Sequence, residues 1–158
     1  MSILVRGSSR CPFCGEVITA DDEAMLFPVF VPNELDPLWV FNDVAAHSRC
    51  VLAHPLGRQA TERLKKYEDA MRAKSRRCAF CGEVVVKPDD YLMIFQLDDD
   101  DPLHDLSLTE LHRSHLSLWP HASRLLNELE RRRDAGTWMG RAVDKLISIV
   151  RHELRGGG

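Results

Sequence analysis

The sequence predicts a small α+β protein in which one short module is repeated in tandem and followed by a C-terminal amphipathic helix. Three observations carry this. Two Cys-x-x-Cys-Gly motifs begin at Cys11 and Cys78, a series of landmarks recurs in order behind each of them, and an apolar stripe runs from Met139 to Leu154.

The repeat is read by laying the chain on itself. Residues 11–17, CPFCGEV, match residues 78–84, CAFCGEV, at an offset of 67. Beyond them Phe30 matches Phe95, Asp36-Pro37-Leu38 matches Asp101-Pro102-Leu103, His47 matches His112, Cys50 matches His115 and Pro55 matches Pro120, all at an offset of 65. A single two-residue deletion reconciles the offsets, so the chain holds a duplicated unit of about 60 residues.

Within each copy the elements follow in a fixed order. After the Cys-x-x-Cys-Gly turn, the apolar stretches 24–31 and 91–97 read as short strands. Asp43 in the first copy, and Ser107 with Glu110 three residues later in the second, offer helix N-caps ahead of the His-x-x-Cys and His-x-x-His pairs. Pro55 and Pro120 stop those helices after about two turns. A second helix runs through Ala60, Leu64, Tyr67 and Met71, whose spacing marks one buried face. Residues 74–77, Lys-Ser-Arg-Arg, read as the linker, which divides the chain into module one (1–74), module two (75–134) and a C-terminal segment (135–158). Asp134-Ala135-Gly136-Thr137 reads as a helix stop and a new N-cap. Met139, Val143, Leu146, Ile147, Val150 and Leu154 then give the stripe of the final helix.

Composition bounds the function classes. An apolar content of 44 % predicts a folded chain, and a formal charge of -3 supplies no global field to gather nucleic acid or anionic lipid. Neither a long apolar run nor a secretory signal is apparent, so a cytoplasmic protein without a membrane partner is expected. Four of the five cysteines sit in the two close pairs, a pattern that fits reduced thiolates holding metal better than a disulfide framework.

Zinc takes four nitrogen or sulfur ligands in a tetrahedron, and a tight turn plus the first turn of a helix can supply two each. Residues three apart on a helix share a face. The expected sites are therefore Cys11, Cys14, His47 and Cys50 in the first module, and Cys78, Cys81, His112 and His115 in the second, with two Zn2+ per chain. Gly15 and Gly82 permit the left-handed backbone that such a turn needs. Cys11-Pro12-Phe13-Cys14 also has the form of a redox motif, but the long helix that should leave it is missing, and redox chemistry leaves the distal ligands unexplained. Four protein ligands leave no open position for a substrate water, so structural zinc and no enzymatic activity are expected, with His54, His104 and His121 as ordinary histidines.

The order of zinc turn, strand pair and helix-borne ligands resembles the treble-clef zinc fingers. The spacing Cys-x2-Cys-x32-His-x2-Cys of the first copy is also similar to the fingers of poly(ADP-ribose) polymerase, which recognise DNA breaks. That resemblance covers about forty residues per copy and lies in the ligands; the second copy departs from it by ending in His-x-x-His. The run from CPFCGEVI to AHSRC also looks like small uncharacterised bacterial zinc proteins, which implies a bacterial source.

Two functions follow as expectations. The first is a protein-interaction adaptor, suggested by the near-neutral charge, the acidic loop 98–101 and the apolar C-terminal helix. The second is DNA or RNA binding: residues 122–155 carry eight Lys or Arg against five acids, and Arg131, Arg132, Arg133, Arg141 and Lys145 would follow a phosphate backbone. The Leu154-Arg155-Gly156-Gly157-Gly158 tail resembles the end of ubiquitin-like proteins but reads as a flexible terminus.

Overall fold

The computed structural model describes residues 3–72 and 74–156, and shows a small α+β protein with two separate two-stranded sheets and several helices. The chain divides into two compact units, Met1–Val31 with Asp36–Asp69, and Pro32–Leu35 with Ala70–Gly158.

The first unit opens with the cysteine turn. The Cys11 amide donates to the Glu16 carbonyl (2.9 Å) and the Gly15 amide to the Cys11 carbonyl (2.8 Å), with Gly15 at φ 75°. Strand β1 (Ala24–Phe27) pairs antiparallel with β2 (Val44–His47), with Ala24 opposite His47. The expected strand over 24–31 is thus shorter, because the Asn42 side chain takes over beyond it: its Oδ1 accepts from the amides of Phe30 and Val31 (both 3.1 Å), and its Nδ2 donates to the Val31 carbonyl (2.6 Å). Helix α1 (Ser48–Ala53) follows directly, then α2 (Gly57–Arg72). Asp43 does not cap α1; it adopts φ 55° in the turn before β2, and the N-cap residue is His47, with no side-chain cap bond. The core is aromatic, with Phe27 and Phe41 fully buried at 5.3 Å between ring centroids.

The second unit repeats this plan. The Cys78 amide donates to the Glu83 carbonyl and the Gly82 amide to the Cys78 carbonyl, each at 2.8 Å, with Gly82 at φ 78°. Strand β3 (Tyr91–Met93) pairs with β4 (Glu110–His112), with Tyr91 opposite His112. That register places the two-residue deletion between the strands, since Ala24 to Tyr91 spans 67 and His47 to His112 spans 65. Leu108, the counterpart of Asp43, likewise lies at φ 54°. Ser107 caps no α-helix, because its hydroxyl accepts from the Leu97 amide (2.9 Å), and Glu110 lies in β4, where it accepts from the Tyr91 hydroxyl (2.7 Å). The expected helix after β4 is a tighter 3-10 helix, Arg113–Leu118. It ends at Trp119, before Pro120, which has no amide hydrogen to continue the ladder.

Two helices complete this unit, α3 (Ala122–Asp134) and α4 (Arg141–Gly156). Gly136 at φ 67° ends the run after α3, as a glycine behind a helix does. Thr137 is not the N-cap of α4: its hydroxyl donates to the Arg132 carbonyl (3.1 Å), closing α3 instead. The stripe of α4 is Val143, Leu146, Ile147 and Val150, all buried against the cluster that includes Leu125 and Leu129 of α3. Met139 falls before the helix and is exposed. The expected linker 74–77 is part of the second unit, since the Lys74 ammonium donates to the Leu108 carbonyl, Val85 donates to the Arg76 carbonyl (2.7 Å) and Arg77 bridges to Val84. Leu154, Arg155 and Gly156 belong to α4, whereas Gly157 and Gly158 lie outside the described residues.

No helix among the described residues is long and apolar enough to cross a membrane.

Candidate metal centres

Each unit brings its cysteine turn and its strand end to one point. In the first, the turn presents Cys11 and Cys14, β2 delivers His47 at its last residue, and the first turn of α1 delivers Cys50. In the second, Cys78 and Cys81 meet His112 at the end of β4 and His115 in the 3-10 helix. In each set the ligand atoms all lie within 4.8 Å of one another. The expected pair of ligands from one helix is thus split, His47 and His112 lying at strand ends with extended backbone and only Cys50 and His115 inside the helices, yet the rings of His112 and His115 still meet with centroids 4.8 Å apart.

The donor spacing tests whether a metal fits. A tetrahedral ion with thiolate bonds near 2.3 Å and imidazole bonds near 2.0 Å places neighbouring donors about 3.4–3.8 Å apart. Cys14 Sγ lies 3.4 Å and Cys50 Sγ 3.9 Å from His47 Nδ1. Cys78 Sγ lies 3.6 Å from His115 Nδ1, and Cys81 Sγ 3.5 Å from His112 Nδ1. The two clusters are therefore compatible with two bound metal ions, and the same imidazole nitrogen, Nδ1, faces the sulfurs in all three histidines.

Local electrostatics favour thiolate at Cys11 and Cys78. Burial opposes ionisation of Cys11, but hydrogen bonds from the His47, Phe13 and Cys14 backbone amides outweigh it and lower its thiol to about 6. Cys78 is lowered to about 6 in the same way, burial being overcome by the amides of His112, Cys81 and Phe80 and by the His115 ring. Cys50 moves the other way, to about 11, through desolvation and the neighbouring sulfurs of Cys14 and Cys11. Anionic sulfurs gathered at these separations repel, and a cation among them removes that repulsion.

Comparison with known protein families, with curated proteins and with solved structures finds no match.

The remaining residues singled out in the sequence have definite places. His54 is structural: its Nδ1 accepts from the Leu56 amide (3.1 Å), and its ring packs on Phe13 and Phe41 at 5.1 and 5.0 Å. His121 is exposed beside the Trp119 ring at 5.3 Å, and His104 is exposed at the start of a 3-10 turn whose last residue, Leu106, is buried. The Arg131-Arg132-Arg133 triplet does not present three solvated cations. Arg132 is buried and forks onto Asp101 (2.7 and 2.8 Å) while its Nε donates to Glu128 (2.7 Å). Arg131 pairs with Glu128 and Arg133 with Asp134. Arg141 and Lys145 are exposed on α4.

Sequence reasoning missed the carboxylates behind these groups. Neither the acidic loop nor the repeated Asp-Pro-Leu identifies Asp101 as an arginine partner, and its counterpart Asp36 likewise pairs with Arg63 (3.2 Å) in the first unit. The signal lies in the combination: both aspartates belong to the repeated Asp-Pro-Leu, and each is followed by a helix containing arginine.

Proposed function

We propose that the chain is a structural zinc protein, two tandem treble-clef-like modules with one Zn2+ each, that acts as a non-catalytic adaptor for another protein. The observation that carries the metal reading is the pair of complete four-donor sets with nitrogen-to-sulfur separations of tetrahedral size. Thiolate with imidazole suits zinc, and four protein ligands leave no coordination position for a reacting water. The cytoplasm, where thiols stay reduced, suits such sites.

The adaptor reading draws on what the surface offers. The apolar stripe of α4 is buried within its own unit and is no longer available for docking. Phe80, Val84, Val86 and Leu118, by contrast, are exposed apolar side chains of the second unit, and Val86 is 79 % exposed. Nucleic-acid binding through Arg131, Arg132, Arg133, Arg141 and Lys145 is the weaker reading, because carboxylates already neutralise the triplet. The test uses the full zinc-loaded chain. A protein partner retained by it should be lost with Val86→Asp or Leu118→Asp while both metals stay bound. Retention on duplex or broken-end DNA that falls steeply with salt would instead favour the nucleic-acid reading.

A further inference from the structure

We propose that Asp22 is the positioning residue of the first metal site, its carboxylate facing the Nε2–H of His47 as acceptor and so holding Nδ1 toward the metal. This rests on the metal reading of the Cys11, Cys14, His47, Cys50 cluster and names a further residue that serves it.

His47 is only 1 % exposed, and its two ring nitrogens face different groups. Nδ1 faces the sulfurs of Cys14 and Cys50 at 3.4 and 3.9 Å. Nε2 is buried without a hydrogen bond, and Asp22 Oδ2 stands 3.5 Å from it. An imidazole that ligates through Nδ1 is neutral and must carry its proton on Nε2, which makes Nε2 a buried donor. A buried donor without an acceptor is costly, and metal on the other nitrogen makes this N–H a stronger donor still. A carboxylate behind a ligating histidine fixes ring orientation and tautomer.

Asp22 is itself held in place. Its Oδ2 accepts from the Thr19 amide (2.8 Å) and the Thr19 hydroxyl (2.7 Å), so the Thr19–Asp22 turn aims the carboxylate before the metal arrives. The second copy does not repeat the Thr19–Asp22 turn. At the offset of 67, Thr19 becomes Val86 and Asp22 becomes the exposed Asp89. The neighbouring Asp90 is engaged by Ser114 through the amide (2.9 Å) and the hydroxyl (3.2 Å). Asp90 is near enough to His112 and His115 to feel both rings electrostatically, but among the described residues no carboxylate stands within 4.0 Å of either ring as Asp22 does of His47.

The experiment is cadmium-113 NMR on the full chain, in which three-sulfur and two-sulfur sites resonate apart, with competing chelator titrated against each signal. Asp22→Asn keeps an oxygen acceptor for Thr19 but removes the carboxylate charge. It should weaken the three-sulfur site by about 10–100-fold and leave the two-sulfur site within about twofold. Unchanged affinity at the three-sulfur site overturns the inference. In the unmutated metal-loaded chain, nitrogen-15 spectra should show the His47 proton on Nε2; a proton on Nδ1 overturns it equally, whether or not the variant folds. Absence of any three-sulfur signal in the unmutated chain would overturn the metal reading, and this inference with it.

Discussion

Arg132 lies in a fork against Asp101, with Nη1 to Oδ2 at 2.7 Å and Nη2 to Oδ1 at 2.8 Å, so the middle residue of the most basic triplet in the chain is spent inside its own unit. The side chains are 7 % and 11 % exposed, which limits screening by water. Trp138 covers the guanidinium at 4.8 Å from the ring centroid. Removing one partner strands the other charge in a dry place, and that penalty exceeds the net worth of the pair. Asp101→Ala should therefore destabilise the second unit by about 3 kcal/mol, read by chemical denaturation of the metal-loaded chain. A loss below about 1 kcal/mol would mean that water reaches the fork freely.

The same network sets an acid dependence. The Arg131 guanidinium lowers Glu128 to about 2, against burial and with help from Arg132. A carboxylate depressed by folding stabilises the native state fully above its unfolded pKa of about 4.3, and loses that contribution as pH falls toward the folded value. The stability gap between the native sequence and Glu128→Gln should thus be constant from about pH 7 to 5.5 and narrow below about pH 5. Acid release of metal acts on both proteins and cancels in the difference. A gap that stays constant or widens on acidification would contradict the assignment.

Gly57 is fixed by a close approach that no motif announces. It opens α2, and a Cβ at this position would lie 1.7 Å from the Val51 carbonyl oxygen, a backbone atom that cannot turn aside. The α1 end and the start of α2 would have to part. Gly57→Ala should cost about 2–3 kcal/mol by thermal unfolding, even though alanine is the better helix former in an open position. Tolerance of alanine there would show that the α1–α2 corner is soft.

How much of this was legible varies with the physics involved. Both Cys/His clusters could be read because a site able to hold a metal demands particular residue types at fixed spacing, and because duplication printed the demand twice. Buried faces such as Val143, Leu146, Ile147 and Val150 could be read from helical period. The caps could not. Asp43 and Ser107 are good N-cap residues by type, yet Asp43 takes left-handed backbone and Ser107 satisfies the Leu97 amide across the hairpin loop, needs that arise only once the strands have paired. The 3-10 turn at Arg113–Leu118 was likewise hidden, since His-x-x-His fits either helix type. The basic triplet misled because side chains 31 residues apart, Arg132 and Asp101, meet only in the fold.

Each module should depend on its own metal. With about 60 residues per copy there is little core to spare, so metal binding and folding share one free energy. Metal analysis should find two zinc ions per chain, and Cys11→Ser or Cys78→Ser should unfold the unit that carries it. A chain that binds none or one would contradict the tandem-site reading.

The order of metal loss follows from the one ligand difference between the copies. Three thiolates and one imidazole around a dication give the first site a net charge of -1, whereas two of each leave the second neutral. Thiolate donates more electron density than imidazole, which favours retention at the first site. Burial points the same way: His47 is buried, while His112 and His115 are both partly open to solvent. A chelator must reach the metal and compete ligand by ligand, so the more open site with fewer thiolates should yield first. Titration with chelator should therefore release one metal before the other, and early release should expose the amides of 78–134 to hydrogen exchange while those of 11–72 stay protected. Asp22→Asn, which removes the carboxylate behind His47, should narrow the interval between the two steps. Simultaneous release in the unmutated chain, or first exposure of the 11–72 amides, would show that neither thiolate count nor burial governs these sites.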